Sequence, residues 1–270
     1  MISAFRQKVW AIWLFSFGAL GAQEAFVLPT QAIDEALERA EWVAQAASTQ
    51  GLGFFLFQQQ WPASEPLPAT TFTLPNPQGS FDLIWGNWNQ QEFTPAFRLQ
   101  PTDSGLVSGS FNLDEKQTAL LPYGRLADSL LSHDPRFKEE SLDRFVRHLP
   151  NNRVEVFCLP PYNPSTAPVY GKYVHLVFDR GTGKVISESF LNGTLQEIPP
   201  QPTEALVLSS EARDMPSTAA YAFAWMYRKS FADIKLETAV MVSVLTRKKT
   251  GEWVWMHARK KAATPALPAK

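Results

Sequence analysis

Residues 217–259 read STAAYAFAWMYRKSFADIKLETAVMVSVLTRKKTGEWVWMHAR, and by pattern alone they hold one helix followed by one β-hairpin. Ala220, Phe223, Ala224, Tyr227 and Phe231 recur close to the i, i+3, i+4, i+7 spacing of one helix face. Pro216 suits the first turn, and Ser217 or Thr218 can cap the orphan backbone N–H groups there. Arg228 and Lys229 meet the negative end of the helix dipole. Residues 234–246 follow as a strand rich in Val, Leu and Thr. Ile234, Leu236, Val240 and Val242 lie on one face and Met241, Ser243 and Leu245 on the other, so the strand is expected to be covered on both sides. Residues 247–251 make a charged turn, and Trp253, Trp255 and His257 share one face of the returning strand. A hairpin alone is marginal, so the rest of the chain must supply a surface for it.

Going outward, residues 32–47 form an amphipathic helix with Ile33, Ala36, Leu37, Ala40, Val43, Ala44 and Ala47 as its stripe and Gln50-Gly51 as its stop. Leu52 to Gln58, with four successive apolar residues from Phe54 to Phe57, reads as a buried strand. Residues 71–74, 81–88, 96–100 and 106–113 are β-like and separated by turn chemistry such as Asn76-Pro77-Gln78-Gly79. Residues 124–131 and 135–149 read as helices, the second with Leu142, Phe145, Val146 and Leu149 on its apolar face. Strands are expected again at 153–159, 169–179 and 184–190.

The fold class is therefore α+β: β-rich, with antiparallel sheets packed against a few amphipathic helices. The expected organisation is a signal peptide over 1–22, a helix plus antiparallel β-meander over 23–115, and a helical connection over 116–152. A second α+β half over 153–260 ends in the helix and hairpin, and a disordered tail covers 261–270. Both halves run from a helix into antiparallel strands, but no residue-level repeat stands out at a fixed period.

Composition narrows the function. The chain has 270 residues, 45% hydrophobic and 19% charged, enough for a real core. The formal net charge is −1, and removing residues 1–22, whose charges are Arg6 and Lys8, lowers it by two more. That balance argues against nucleic acid as a partner. With 21 prolines and 14 glycines the chain is loop-rich. The single cysteine, Cys158, excludes an internal disulfide and sits in an apolar run, as a buried residue would. Arg6 and Lys8, an apolar run from Val9, and small residues at Gly18, Ala19, Gly21 and Ala22 describe a secretory signal peptide. The competing assignment is an uncleaved anchor. Asn192-Gly193-Thr194 is a glycosylation triplet in form.

Two clusters stand out as ligand sites. Trp85, Asn87 and Trp88, followed by Asn89, Gln90 and Gln91, combine aromatic faces with amides, which is what a sugar ring needs. Trp255 and His257 share a strand face, with an aromatic core stripe as the plainer assignment. No catalytic residue is assigned. A hydrolase could draw on Asp82, Asp179, His175 and His257, but no Gly-x-Ser-x-Gly elbow, zinc spacing or phosphate loop occurs, and no metal or cofactor is expected. The expectation is a periplasmic or secreted, non-catalytic binding or scaffold protein of the cell envelope. Its partner would be an envelope protein or a glycan, and the membrane only if residues 1–22 are retained. The alternatives are an envelope hydrolase acting on polysaccharide or wall material, and a membrane-tethered assembly factor.

Overall fold

The computed structural model of the chain describes residues 28–62, 64–102, 105–108, 112–191, 194–210 and 214–260. The expected signal peptide, the expected tail, and Asn192 and Gly193 of the glycosylation triplet lie outside the described residues. In chain order the elements are α1 (Thr30–Gln60), β1 (Thr70–Pro75), β2 (Phe81–Asn89), β3 (Glu92–Thr102), β4 (Gly105–Ser108), α2 (Glu115–His133), β5 (Asp143–Leu149) and β6 (Arg153–Leu159). They continue with β7 (Val169–Tyr170), β8 (Tyr173–Asp179), β9 (Val185–Leu191), β10 (Gln196–Glu197), β11 (Gln201–Ser210), α3 (Thr218–Met226), β12 (Phe231–Thr238), β13 (Met241–Arg247) and β14 (Trp253–Arg259).

The fold is α+β and β-rich. An eight-stranded sheet runs in the order β4-β3-β2-β1-β5-β6-β8-β9, and a four-stranded sheet in the order β11-β12-β13-β14. β7 and β10 form a small separate ribbon. One face of the large sheet is covered by α1, whose Ala36, Ala40, Val43 and Ala47 pack with Phe145 and Phe157. α3 lies against α1 and carries the four-stranded sheet on its far side, through Tyr221, Ile234, Leu236 and Leu245. The other face is covered by α2, with Leu120, Leu121 and Ala127 over Phe72, Val146 and Val156.

The large sheet is two copies of one unit. Each copy is a helix followed by four antiparallel strands, and the copies meet through a single parallel pair, β1 with β5. Gln60 and His133 end the two helices, Thr70 and Asp143 begin the two strand sets, and each pair is 73 residues apart (133 less 60, 143 less 70). The same shift carries the facing pair Leu74–Asp82 onto Arg147–Glu155. It also carries Ile84 onto Phe157, whose partners on the next strand are Arg98 and His175. Gly79 and Asn152 hold the same turn position, both with positive φ. The relation exchanges faces: Phe72 and Ile84 pack under α2, whereas Phe145 and Phe157 pack under α1. That is a pseudo-twofold axis along the strands at the β1/β5 seam.

Three sequence expectations are corrected. Residues 52–58 are not a strand but the last turns of α1, which runs unbroken to Gln60. Its glycines serve close packing rather than termination: a Cβ on Gly51 would sit 2.6 Å from the Tyr162 carbonyl, and one on Gly53 would sit 2.8 Å from Leu83 Cδ2. Residues 143–149 are a central strand, not a helix. A strand covered by helices on both faces loses its alternation, and Phe145 and Val146, which face opposite layers, imitated helical spacing. Residues 234–246 are two strands rather than one. Thr238 Oγ1 accepts the Met241 N–H at 3.1 Å and closes a tight turn between β12 and β13.

Candidate functional site

Glu155 is a charged residue in the apolar strand β6 and is fully buried. A carboxylate in that position needs partners, and three basic side chains supply them. Arg147, opposite it on β5, donates from Nε at 2.6 Å. His175 on β8 donates from Nε2 at 2.7 Å, and Arg39, descending from α1, places Nε 3.3 Å away. Burial works against the Glu155 charge, but the His175 hydrogen bond and the Arg147 charge more than reverse this and hold its pKa below the usual value. The aromatic surroundings fix the donors: the His175 ring stacks on Phe157 at 4.5 Å, and the Arg147 guanidinium lies 4.9 Å from the Trp42 ring.

Two members of this cluster, Arg39 and His175, line a cleft of about 290 Å³ between the first turns of α1, strands β8 and β9, and the loop that leads into α3. Arg39, His175 and Tyr173 are in its wall, with Ser189 and Ser217 among the polar groups and Leu191 and Met215 among the apolar ones. Ser217 Oγ accepts the Ala220 N–H at 3.2 Å, so the capped amino terminus of α3 opens on the cleft. Tyr173 is only 4% exposed, and its hydroxyl has no hydrogen-bond partner among the described residues. Burial, reinforced by the nearby Glu155 charge, pushes its pKa well up, so the hydroxyl stays a proton donor.

The first copy of the unit has the corresponding arrangement on the opposite face. Asp82, fully buried on β2, pairs with Arg98 on β3 and accepts from Gln117 Nε2 of α2 at 2.7 Å and from Asn76 Nδ2 at 3.1 Å. In both copies the carboxylate is held by a basic side chain from the third strand and by a side chain from the other copy's helix.

The residues singled out from sequence do not assemble into either expected platform. Trp85 is 1% exposed and stacks on Phe57 at 4.4 Å, so it offers no surface to a sugar. Trp88 belongs to the opposite face, edge-on to Phe72 and 5.0 Å from the Arg125 guanidinium. Asn87 Oδ1 accepts the Ala69 N–H at 2.9 Å. Trp85 and Trp88 are three residues apart on one strand and so point to opposite faces. Trp255 and His257 do stack, but against the buried Tyr221. His257 Nδ1 meets Ser243 Oγ at 2.8 Å, Tyr221 meets the same oxygen at 3.0 Å, and burial lowers the His257 pKa to about 4 despite the charge of Asp34. This is a satisfied histidine in an aromatic core.

Cys158 is buried, and burial pushes its thiol up to about 12. Asp179 holds the turn after β8 through the Thr182 N–H and hydroxyl. Of the four groups from which a hydrolase might be drawn, His175 alone lines the cleft. Sequence reasoning missed Glu155, Arg147, Arg39 and Tyr173. The signal of Glu155 was present, because it interrupts a run that is otherwise apolar. Among the described residues no group of His, Cys, Asp and Glu side chains is placed to hold a metal ion. No protein-family model, curated protein or solved structure matches the chain.

Proposed function

We propose that this chain is a non-catalytic binding protein of the cell envelope, and that its ligand enters the cleft over Glu155. The observation that carries the reading is the cleft lined by Arg39 and His175, which the buried Glu155 holds in place, with Ser189 and Ser217 among its other polar groups. A concave site with a few convergent polar groups is where a small ligand binds. The envelope setting is supported by the basic and then apolar stretch over residues 1–22. No helix among the described residues is long and apolar enough to cross a membrane.

Ala32 tests the reading, because it is exposed on α1 and lines the cleft mouth. Ala32→Trp fills the mouth from the surface without entering the core. Envelope metabolites and glycan fragments would be screened by ligand-observed NMR against both proteins. The expected result is a ligand held by the natural chain and lost in Ala32→Trp. If every ligand found binds both proteins equally, the cleft is not the site.

A second reading, an envelope hydrolase, is favoured by one observation, the His175–Glu155 hydrogen bond, which is how a carboxylate orients a catalytic imidazole. Against it, no hydrogen bond joins His175 to a hydroxyl among the described residues, and Glu155 is shared among Arg147, Arg39 and His175. Hydrolysis of wall polysaccharide that disappears in His175→Phe would move the assignment to this reading.

A further inference from the structure

We infer that the outer face of the four-stranded sheet docks on an anionic lipid surface, through an apolar strip along β13 and β14 and the basic residues around it. The inference goes beyond the cleft and does not rest on its reading as a binding site.

α3 covers one face of this sheet, where Leu236, Leu245, Trp253 and Trp255 join its core. On the other face the pairing of β13 with β14 sets Val242 beside Ala258, Val244 beside Met256 and Thr246 beside Val254. None of these six belongs to a hydrophobic cluster among the described residues, and Met256 is 50% exposed. The same sheet shows what a solvated face looks like in this chain, because β12 turns Asp233, Lys235 and Glu237 outward next to the strip. Five of the six positions on β13 and β14 are apolar instead. β13 reads in sequence as a strand covered on both sides, and the described residues cover one. An apolar strip left open in this way marks an interaction surface. β14 is the outermost strand, so the strip reaches the margin of the sheet.

Charge selects the occupant. Residues 201–260, which hold α3 and the whole sheet, contain nine bases and six acids, a formal +3. The full chain is −1, so the remainder carries −4. Bases stand at both ends of the strip, with Arg247, Lys248 and Lys249 in the turn and Arg259 and Lys260 where β14 ends. Lys248 and Lys260 lie 3.0 Å from Glu252 and Glu237, and both acids are already in the count. A second copy laid face to face would set basic ends against basic ends in either twofold arrangement. An anionic bilayer surface suits both features, because binding there grows with buried apolar area and with the attraction of nearby lysines and arginines to the headgroups.

The test is co-sedimentation of the full chain with vesicles of equal parts phosphatidylglycerol and phosphatidylcholine, and with vesicles of phosphatidylcholine alone. It uses the natural protein, Met256→Glu, Lys249→Glu and, elsewhere on the surface, Phe55→Ser, whose ring is 61% exposed on α1. Met256 and Lys249 are exposed, so neither substitution enters the core, and thermal melts serve as the folding control. The expected result is that the anionic vesicles bind and the neutral ones bind about tenfold more weakly or not at all. Met256→Glu and Lys249→Glu should each lower binding about fivefold or more, and Phe55→Ser should leave it unchanged. Equal binding to both kinds of vesicle, or binding that Phe55→Ser alone weakens, overturns the inference. Binding carried by residues 1–22 would survive both hairpin substitutions and overturns it too. If no vesicle binds and sedimentation velocity shows a dimer that Met256→Glu dissociates, the strip belongs to a second copy and not to a membrane. A monomer that binds no vesicle overturns the inference as well.

Discussion

Replacing Glu155 by glutamine keeps the shape of the side chain and removes its charge, and the cost can be worked out from its partners. Glu155 is wholly buried, Arg147 and His175 are 15% and 16% exposed, and Arg39 is 35% exposed. Breaking a buried ion pair by removing one charge costs about 3–5 kcal/mol, because the remaining charge stays unpaired. Arg39 can turn to water and the glutamine carbonyl still accepts one hydrogen bond, so the lower end, about 3 kcal/mol, is expected at neutral pH. The pH dependence carries its own signature. The folded-state pKa of Glu155 is depressed, so its contribution is present above the unfolded value of about 4.3 and is lost as pH falls through the folded value. Urea unfolding at a series of pH values should show a gap between natural protein and Glu155→Gln that is widest near pH 7 and closes below about pH 4. A gap under about 0.5 kcal/mol at pH 7, or one that does not change with pH, would refute the claim that this carboxylate anchors the floor of the cleft.

Two further stability predictions follow from single contacts. Gly51→Ala gains about 1 kcal/mol of helix propensity but drives a Cβ against the Tyr162 carbonyl, which costs about 1–3 kcal/mol; a net loss should appear in urea melts, and a net gain would mean that the loop after β6 yields freely. His257 has a folded pKa near 4 against 6.5 for the free side chain. Its stabilising contribution is full above about pH 6.5 and falls away toward pH 4, by about 2 kcal/mol after allowance for partial exposure. In His257→Gln that slope should vanish from the pH–stability curve.

Much of the architecture could be read from residue patterns, and each failure has its own physical origin. The closing helix was legible from its Ser217 cap and its apolar run, although Ala219 to Ala224 are all buried, and the meander over β1 to β3 was legible because turn residues punctuate it. Residues 143–149 failed because that strand is covered on each side, which erases periodicity, and residues 52–58 failed because Leu52, Phe54 and Phe55 are apolar although they are exposed on α1. The candidate site was hidden for a different reason. Glu155, Arg147, Arg39 and His175 come from four elements, and only tertiary structure brings them together. What sequence did offer was an acid in the middle of an apolar strand. A buried carboxylate of that kind is costly without partners and therefore implies them. The aromatic cluster at Trp85 drew attention instead, because aromatic residues look alike whether they face a ligand or the core.

The duplication also accounts for why, among the described residues, a cleft opens beside Glu155 and not beside Asp82. A twofold axis along the strands places Asp82 toward α2 and Glu155 toward α1. The two faces would be equivalent if the chain ended at β9. It continues instead, and α3 with the four-stranded sheet packs on the α1 side alone. The loop that starts α3, with Met215, Pro216 and Ser217, then forms a wall beside Arg39 and His175 that Asp82 has no counterpart for. On the Asp82 side the two amides of Gln117 and Asn76 complete the carboxylate's hydrogen bonds. On the Glu155 side guanidiniums take those places, and the Tyr173 hydroxyl is left over. The appended helix and sheet thus turn a structural ion pair, present twice in the fold, into the edge of an open cleft in one of its two copies.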